Sequence, residues 1–366
     1  MYNIHLLPAT FGDSILIEYG NSGNEHYILI DGGPYYVFGD IFSAIKKIAP
    51  GLRELELLVV THIDIDHIDG IITLLNQTPQ PFGIREVWFN GYKELEQLKT
   101  IQAKKDDLLG PLQGEYLSEL IKKNNIPHNT AFDNGPICVS DLNAPPVRLL
   151  PGGMKLTILA PGVDDLLDLL PKWKKEISQI GGEKGVRTRW KKEKRYISQP
   201  PDLLGPDIVA AIKTLEDTAD TSLANRSSIA FLAAYEDKTC LLAGDTPSDR
   251  LLMTIEPLLQ RSGEERLSVD AWKLAHHGSK KSTHADLMQK VDSKKILIST
   301  DGKRYHHPDT KCIEDLLQEH PSPLHLFFNY RSEYNSQWDD KTQKDRYNYE
   351  ASYPDHDSEG GISVSL

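Results

Sequence analysis

Long apolar runs are missing from this sequence of 366 residues. None approaches the roughly 18 residues that a membrane helix needs. The start, Met1-Tyr2-Asn3-Ile4-His5, has no basic region followed by an apolar one, so no signal peptide is expected. Cysteine is scarce. Cys138, Cys240 and Cys312 are odd in number and far apart, which points to a reducing compartment and away from a thiolate metal site. The expected location is cytoplasmic, with no membrane contact. Neither Gly-x-Gly-x-x-Gly nor Gly-x-x-x-x-Gly-Lys-Ser/Thr occurs, which disfavours dinucleotide and P-loop chemistry. A basic excess is also missing: 41 Lys and Arg against 53 Asp and Glu give a net charge of −12. That disfavours a polycation coating nucleic acid. With 39% hydrophobic and 26% charged residues, the chain has the composition of an ordinary globular protein.

The acidity is uneven. Lys172 to Arg195 holds ten Lys or Arg against three Glu, with Trp173 and Trp190 interleaved. The span 164–206 reads as a basic insertion, helical in part, within a single domain covering 1–366. Short strands dominate early and late. Asn3–Pro8, Ser14–Tyr19, Tyr27–Ile30 and the apolar Leu55–Val60 come first. Ser227–Tyr235 and Thr239–Ala243 form a hairpin, and strands at Trp272–Ala275, Ile296–Ser299 and His325–Phe328 follow. Helices separate them, which predicts a layered α/β sandwich.

Directly after Leu55–Val60 comes Thr61-His62-Ile63-Asp64-Ile65-Asp66-His67-Ile68-Asp69-Gly70. Strand carboxyl ends are where α/β sites form. His62, Asp64, Asp66 and His67 place four potential ligands within six residues. Imidazole with carboxylate suits Zn²⁺, Mn²⁺ or Fe²⁺. The bland alternative, a polar helix start with solvated acids, leaves many ligands beside a buried strand with nothing to coordinate.

His-x-Asp-x-Asp-His resembles the His-x-His-x-Asp-His signature of the metallo-β-lactamase fold superfamily. This form resembles the branch that includes the nuclease domain of the DNA-uptake channel protein ComEC. Gly12-Asp13-Ser14, Leu29-Ile30-Asp31-Gly32-Gly33, Leu242-Ala243-Gly244-Asp245, Ala275-His276-His277-Gly278-Ser279 and Tyr305-His306-His307-Pro308 resemble its other motifs in order. The resemblance implies an αββα four-layer sandwich and two divalent metal ions, Zn²⁺ or Mn²⁺. Their expected ligands are His62, Asp64, Asp66, His67, Asp245 and His276. Adjacent strand residues point to opposite sides. His276, nearer the strand end, is therefore expected to ligate and His277 to face substrate. Asp66, His277 and His307 are the expected catalytic residues. Asp31 could support a ligating histidine or cap the turn at Gly32-Gly33, while Asp13 reads as structural. The family's histidine before the hairpin is missing, and Asn225 stands near its place.

The implied activity is metal-dependent phosphodiester hydrolysis by a metal-activated hydroxide, with DNA as the leading substrate. Asn225, Ser279, His306, Lys191 and Lys192 are expected to touch that substrate. Two alternatives stand: hydrolysis of small phosphoesters of nucleotide or phosphorylcholine type, and a non-catalytic effector or binding subunit. A bacterial setting, with a partner protein from the same operon, completes the expectation.

Overall fold

The computed structural model describes residues 1–98, 111–180, 221–320, 323–355 and 360–366. The first strands are β1 (Tyr2–Leu6), β2 (Ile15–Asn21), β3 (Asn24–Ile30), β4 (Glu54–Leu55), β5 (Leu57–Val59), β6 (Gly83–Ile84), β7 (Val87–Trp88) and β8 (Val147–Leu149). The later ones are β9 (Lys155–Ala160), β10 (Ala230–Tyr235), β11 (Lys238–Leu242), β12 (Leu267–Lys273), β13 (Val291–Ile298), β14 (His325–Phe328), β15 (Glu350–Ser352) and β16 (Ile362–Ser365). One six-stranded sheet runs β16-β1-β2-β3-β5-β7, and an eight-stranded sheet runs β15-β14-β13-β12-β11-β10-β9-β8. β4 and β6 form a small separate pair.

Side-chain alternation builds the layers. Ile15, Ile17, Ile28, Ile30, Leu57 and Val59 of the first sheet meet Leu156, Ile158, Phe231, Cys240, Leu242 and Leu297 of the second in one buried core. The intervening residues point outward. Leu16, Leu29 and Leu58 pack under helices Phe38–Ile48, Ile65–Leu75 and Pro111–Lys123. Leu241, Trp272, Ile296 and Ile298 pack under helices Ser248–Ser262, Ala285–Lys290 and Thr310–Glu319. The architecture is the expected α/β sandwich of four layers, αββα. β3 and β5 run parallel, as do β11, β12 and β13. The loops after these five strands carry the candidate site.

Much of the span read as a basic insertion lies outside the described residues. Helix Val163–Ile180 occupies the start of the span read as an insertion. Its Leu166, Leu169, Leu170 and Trp173 are buried in the core of the first helical layer. Trp173 is closed off beside Gly114, its indole N–H donating to Glu115 Oε1 at 2.8 Å. It cannot stack on a base. Lys191, Lys192 and Trp190 lie outside the described residues. Among the described residues, no helix is long and apolar enough to cross a membrane.

Candidate metal centre

Residues 61–64 leave the carboxyl end of β5, and helix Ile65–Leu75 begins at once. Asp64 occupies the N-cap without accepting a backbone N–H through its side chain. Its carboxylate instead lies 3.4 Å from His62 Nε2. Asp66 and His67 sit in the helix's first turn, where negative charge is favoured. Asp245 follows β11 across Gly244, whose φ of +53° turns the chain toward the first sheet.

The four imidazoles converge on one carboxylate oxygen. From Asp245 Oδ2, the Nε2 atoms of His67, His62, His276 and His277 lie at 3.5, 3.9, 3.9 and 4.0 Å. Asp66 Oδ2 lies 3.4 Å from His277 Nε2 and 3.9 Å from His67 Nε2. Two groups could each hold a metal ion: His62, His67 and Asp245, and Asp66, His67 and His277.

The protons on three of these rings are fixed from behind. His67 Nδ1 donates to Asp31 Oδ2 at 2.8 Å, and Asp31 also accepts Thr61 N–H and Oγ1–H. Because the Thr61 hydroxyl donates to Asp31, its oxygen accepts from His62 Nδ1 at 3.0 Å. His277 Nδ1 donates to the Ser299 carbonyl at 2.8 Å. Each ring, in its neutral form, therefore aims an Nε2 lone pair into the site, as metal ligation requires. All three Nε2 atoms and Asp245 Oδ1 are buried without a hydrogen-bond partner. Orphaned polar atoms are costly, and divalent ions held by the two groups would satisfy them. These residues fit the metal that the motif implies.

The charge balance agrees. Burial pushes Asp66 up, yet His67 and His277 outweigh it and hold the carboxyl at about 2. Burial likewise opposes charge on His277, but Asp13 and Asp245 raise it to about 9. Asp245, Asp66 and Asp31 lift His67 well above its usual value against the same burial. Asp245 is held well below the carboxylate range by His67, His276 and His277, again against burial. Protons thus occupy the places that a cation would take.

The backbone places both His276 and His277 at the site. β12 ends at Lys273, and Ala275–Gly278 is a short turn. His276 and His277 have φ of +47° and +57°, so strand alternation does not apply and both rings reach inward. His277 is the one seated against Asp66. His276 Nδ1 accepts from the Asn225 amide at 3.2 Å, which leaves its proton on Nε2. Burial holds His276 at about 4, so it is neutral at pH 7.

The remaining expected residues fall as follows. Asn225 is buried beside His276, with Oδ1 unpartnered. Ser279 is buried, and its Oγ accepts Lys281 N–H within its own loop. His307 stands 5.6 Å from His276 by ring centroids and 3.4 Å from Asp309 Oδ1 through Nδ1. His306 is exposed and stacks on Tyr334. Asp31 has both suggested neighbourhoods, but its carboxylate serves His67. Asp13 pairs with buried Lys273 and lies 3.5 Å from His277 Nδ1. Sequence reasoning passed over Lys273, Thr61, Ser299 and Asp309.

Residues 7–144 match the family model described as Metallo-beta-lactamase superfamily. Over those residues the chain is similar to a metallo-β-lactamase superfamily domain. It is also 31% identical over 113 residues to ComE operon protein 3 of Bacillus subtilis (strain 168), covering 28% of this chain and 13% of that protein. The match therefore spans about an eighth of the relative's length. Solved structures give looser likenesses. A CmlA beta-hydroxylase E377D mutant has a TM-score of 0.44 at 10% identity, covering 100% of this chain and 54% of that one. Human tRNase Z, short form, has a TM-score of 0.38 at 9% identity, covering 100% and 99%.

Proposed function

We propose that the chain is a metal-dependent phosphodiester hydrolase acting on nucleic acid, with DNA as the leading substrate. The observation that carries this reading is the convergence of His62, His67 and His277, their Nε2 atoms unpartnered, on Asp66 and Asp245. The motif resemblance to the ComEC-like nuclease branch supplies the nucleic acid. His62, Asp64, Asp66, His67, Asp245 and His277 would hold the metals. Bound there, divalent ions supply Lewis acidity and a water of lowered pKa. Asp31, Thr61 and the Ser299 carbonyl keep the ligating rings in one tautomer. His276, neutral and with its proton on Nε2, can donate a hydrogen bond to a phosphate oxygen. His307, with Nδ1 3.4 Å from Asp309 Oδ1, would give a proton to the leaving oxygen.

A thiol nucleophile does not compete. All three cysteines are buried; burial pushes Cys138 up to about 11 and Cys312 up to about 12. The net charge of −12 favours a second reading, a small phosphoester, because an acidic body repels long polyanions.

The test incubates the full chain with Mn²⁺ or Zn²⁺ and labelled single-stranded DNA, duplex DNA, RNA and bis(p-nitrophenyl) phosphate. Cleavage of a nucleic acid, lost in Asp245→Asn, is expected. Cleavage of the small ester alone transfers the conclusion to the second reading. Hydrolysis of none of them contradicts both.

A further inference from the structure

We infer that Phe11, Tyr36, Arg304 and Tyr305 form a wall beside the metal centre that takes one unpaired nucleobase, so that the strand entering the site is single-stranded. This rests on the nucleic-acid reading above.

A continuous run of ring contacts leads from the centre to the wall. Centroids of His277 and His276 are 5.8 Å apart, and those of His276 and His307 are 5.6 Å apart. Tyr305 follows at 6.2 Å from His307, Phe11 at 5.8 Å from Tyr305, and Tyr36 at 6.4 Å from Phe11. The Arg304 guanidinium lies 4.5 Å from the Phe11 centroid and 5.3 Å from that of Tyr305. Phe11 is buried and forms the back of the wall. Tyr36, Arg304 and Tyr305 are half-buried.

The three chain segments that make the wall are bound together. Asp301 N–H donates to the Thr10 carbonyl at 2.8 Å, and the Thr10 hydroxyl meets the Tyr36 hydroxyl at 3.2 Å. Thr10 has φ +54° and His306 has φ +62°, on two of these segments. A β-branched residue at positive φ is a real outlier, and such strain persists where surrounding structure enforces it. Phe11 and Tyr305, next to these two residues, meet edge to face.

Planar guanidinium and aromatic groups are what bases stack on when a protein holds an unpaired strand. Bases in a duplex are already stacked on one another and present only their edges. The local charge suits a nucleotide: Arg304 and Lys303 adjoin Asp301, whose Oδ1 is engaged by Lys303 N–H within the loop. A phosphate at the metal centre would place a neighbouring base toward Tyr305.

The test measures fluorescence anisotropy of the full chain with Zn²⁺ present, on phosphorothioate strands that resist cutting. The probes are labelled hexathymidylate, the same backbone with abasic sites, and a hairpin duplex. Tyr305→Leu should weaken hexathymidylate binding by about 5- to 100-fold. The abasic strand and the duplex should be unaffected. Tyr305→Phe should keep parental affinity, and Arg304→Lys, which keeps charge but loses the plane, should weaken binding. Circular dichroism checks each fold, and Arg304→Lys decides if Tyr305→Leu misfolds. Parental affinity in Tyr305→Leu and Arg304→Lys, or equal loss on the abasic strand, overturns the inference. If these variants bind like the parent while the parent cleaves DNA, only the wall falls. If the parent neither binds nor cleaves any nucleic acid, the functional reading falls with it.

Discussion

Asp31→Asn removes one charge and one acceptor while keeping the side chain's shape. Asp31 is fully buried and accepts three hydrogen bonds: from His67 Nδ1 at 2.8 Å, Thr61 N at 2.8 Å and Thr61 Oγ1 at 2.7 Å. An asparagine oxygen can keep the Thr61 N–H, but its NH₂ then faces the other two donors. The Thr61 hydroxyl must turn, which releases His62 as well, because that hydroxyl links Asp31 to His62 while His67 meets Asp31 directly. Backbone strain adds little, since Asp31 sits at φ +55° and asparagine tolerates that region at least as well. Losing a partner behind a ligating histidine costs about 10–100-fold in metal affinity, or about 1.4–2.8 kcal/mol. Two histidines are disturbed here, so the upper end is expected. Isothermal titration of Zn²⁺ into the chelator-treated protein reads the affinity directly, and circular dichroism should show an unchanged fold. Parental affinity in Asp31→Asn would refute the idea that this carboxylate sets the imidazole tautomers.

Three further outcomes are expected. Metal binding should release protons: facing carboxylates raise His67 and His277, the latter to about 9, so both are charged at pH 7 and must lose a proton to ligate. Titrations in buffers of different ionisation enthalpy should show that release, with affinity weakening as pH falls. Lys273→Met should leave Asp13 buried with only His277 beside it, at a cost approaching about 3–5 kcal/mol in denaturant unfolding. Burial raises Asp13, but Lys273 and His277 outweigh it and hold the carboxyl low. Its contribution is therefore present above the ordinary carboxyl range and lost as pH falls below about 4, so the parent's advantage over Lys273→Met should shrink in acid. Gly12→Ala should lower metal affinity, because the new Cβ would meet the Asp66 carbonyl oxygen at 2.0 Å and push Asp66 out of place.

The sequence made local features legible and hid distant ones. An unbroken apolar run ending in His-x-Asp-x-Asp-His marks a buried strand and a ligand-rich loop, because both signals lie within one stretch of chain. Asp245 after Gly244 was readable for the same reason. The turn at His276 and His277 was not, since nothing in Ala-His-His-Gly-Ser states that both histidines adopt positive φ. Lys273 and Asp13 are 260 residues apart, and neither carries a sign of the other. Asp31 was ambiguous for a similar reason: its carboxylate is spoken for by His67, 36 residues on. Trp173 could have been read better. Leu166, Leu169, Leu170 and Trp173 recur at helical spacing, which is the pattern of a buried face; the surrounding lysines drew attention to charge instead.

The most direct test of the metal centre is the metal content of the full chain, purified without chelator and measured by inductively coupled plasma mass spectrometry. One to two equivalents of a divalent metal are expected, falling sharply in Asp245→Asn. A metal-free chain that takes up neither Zn²⁺ nor Mn²⁺ on dialysis would contradict the account.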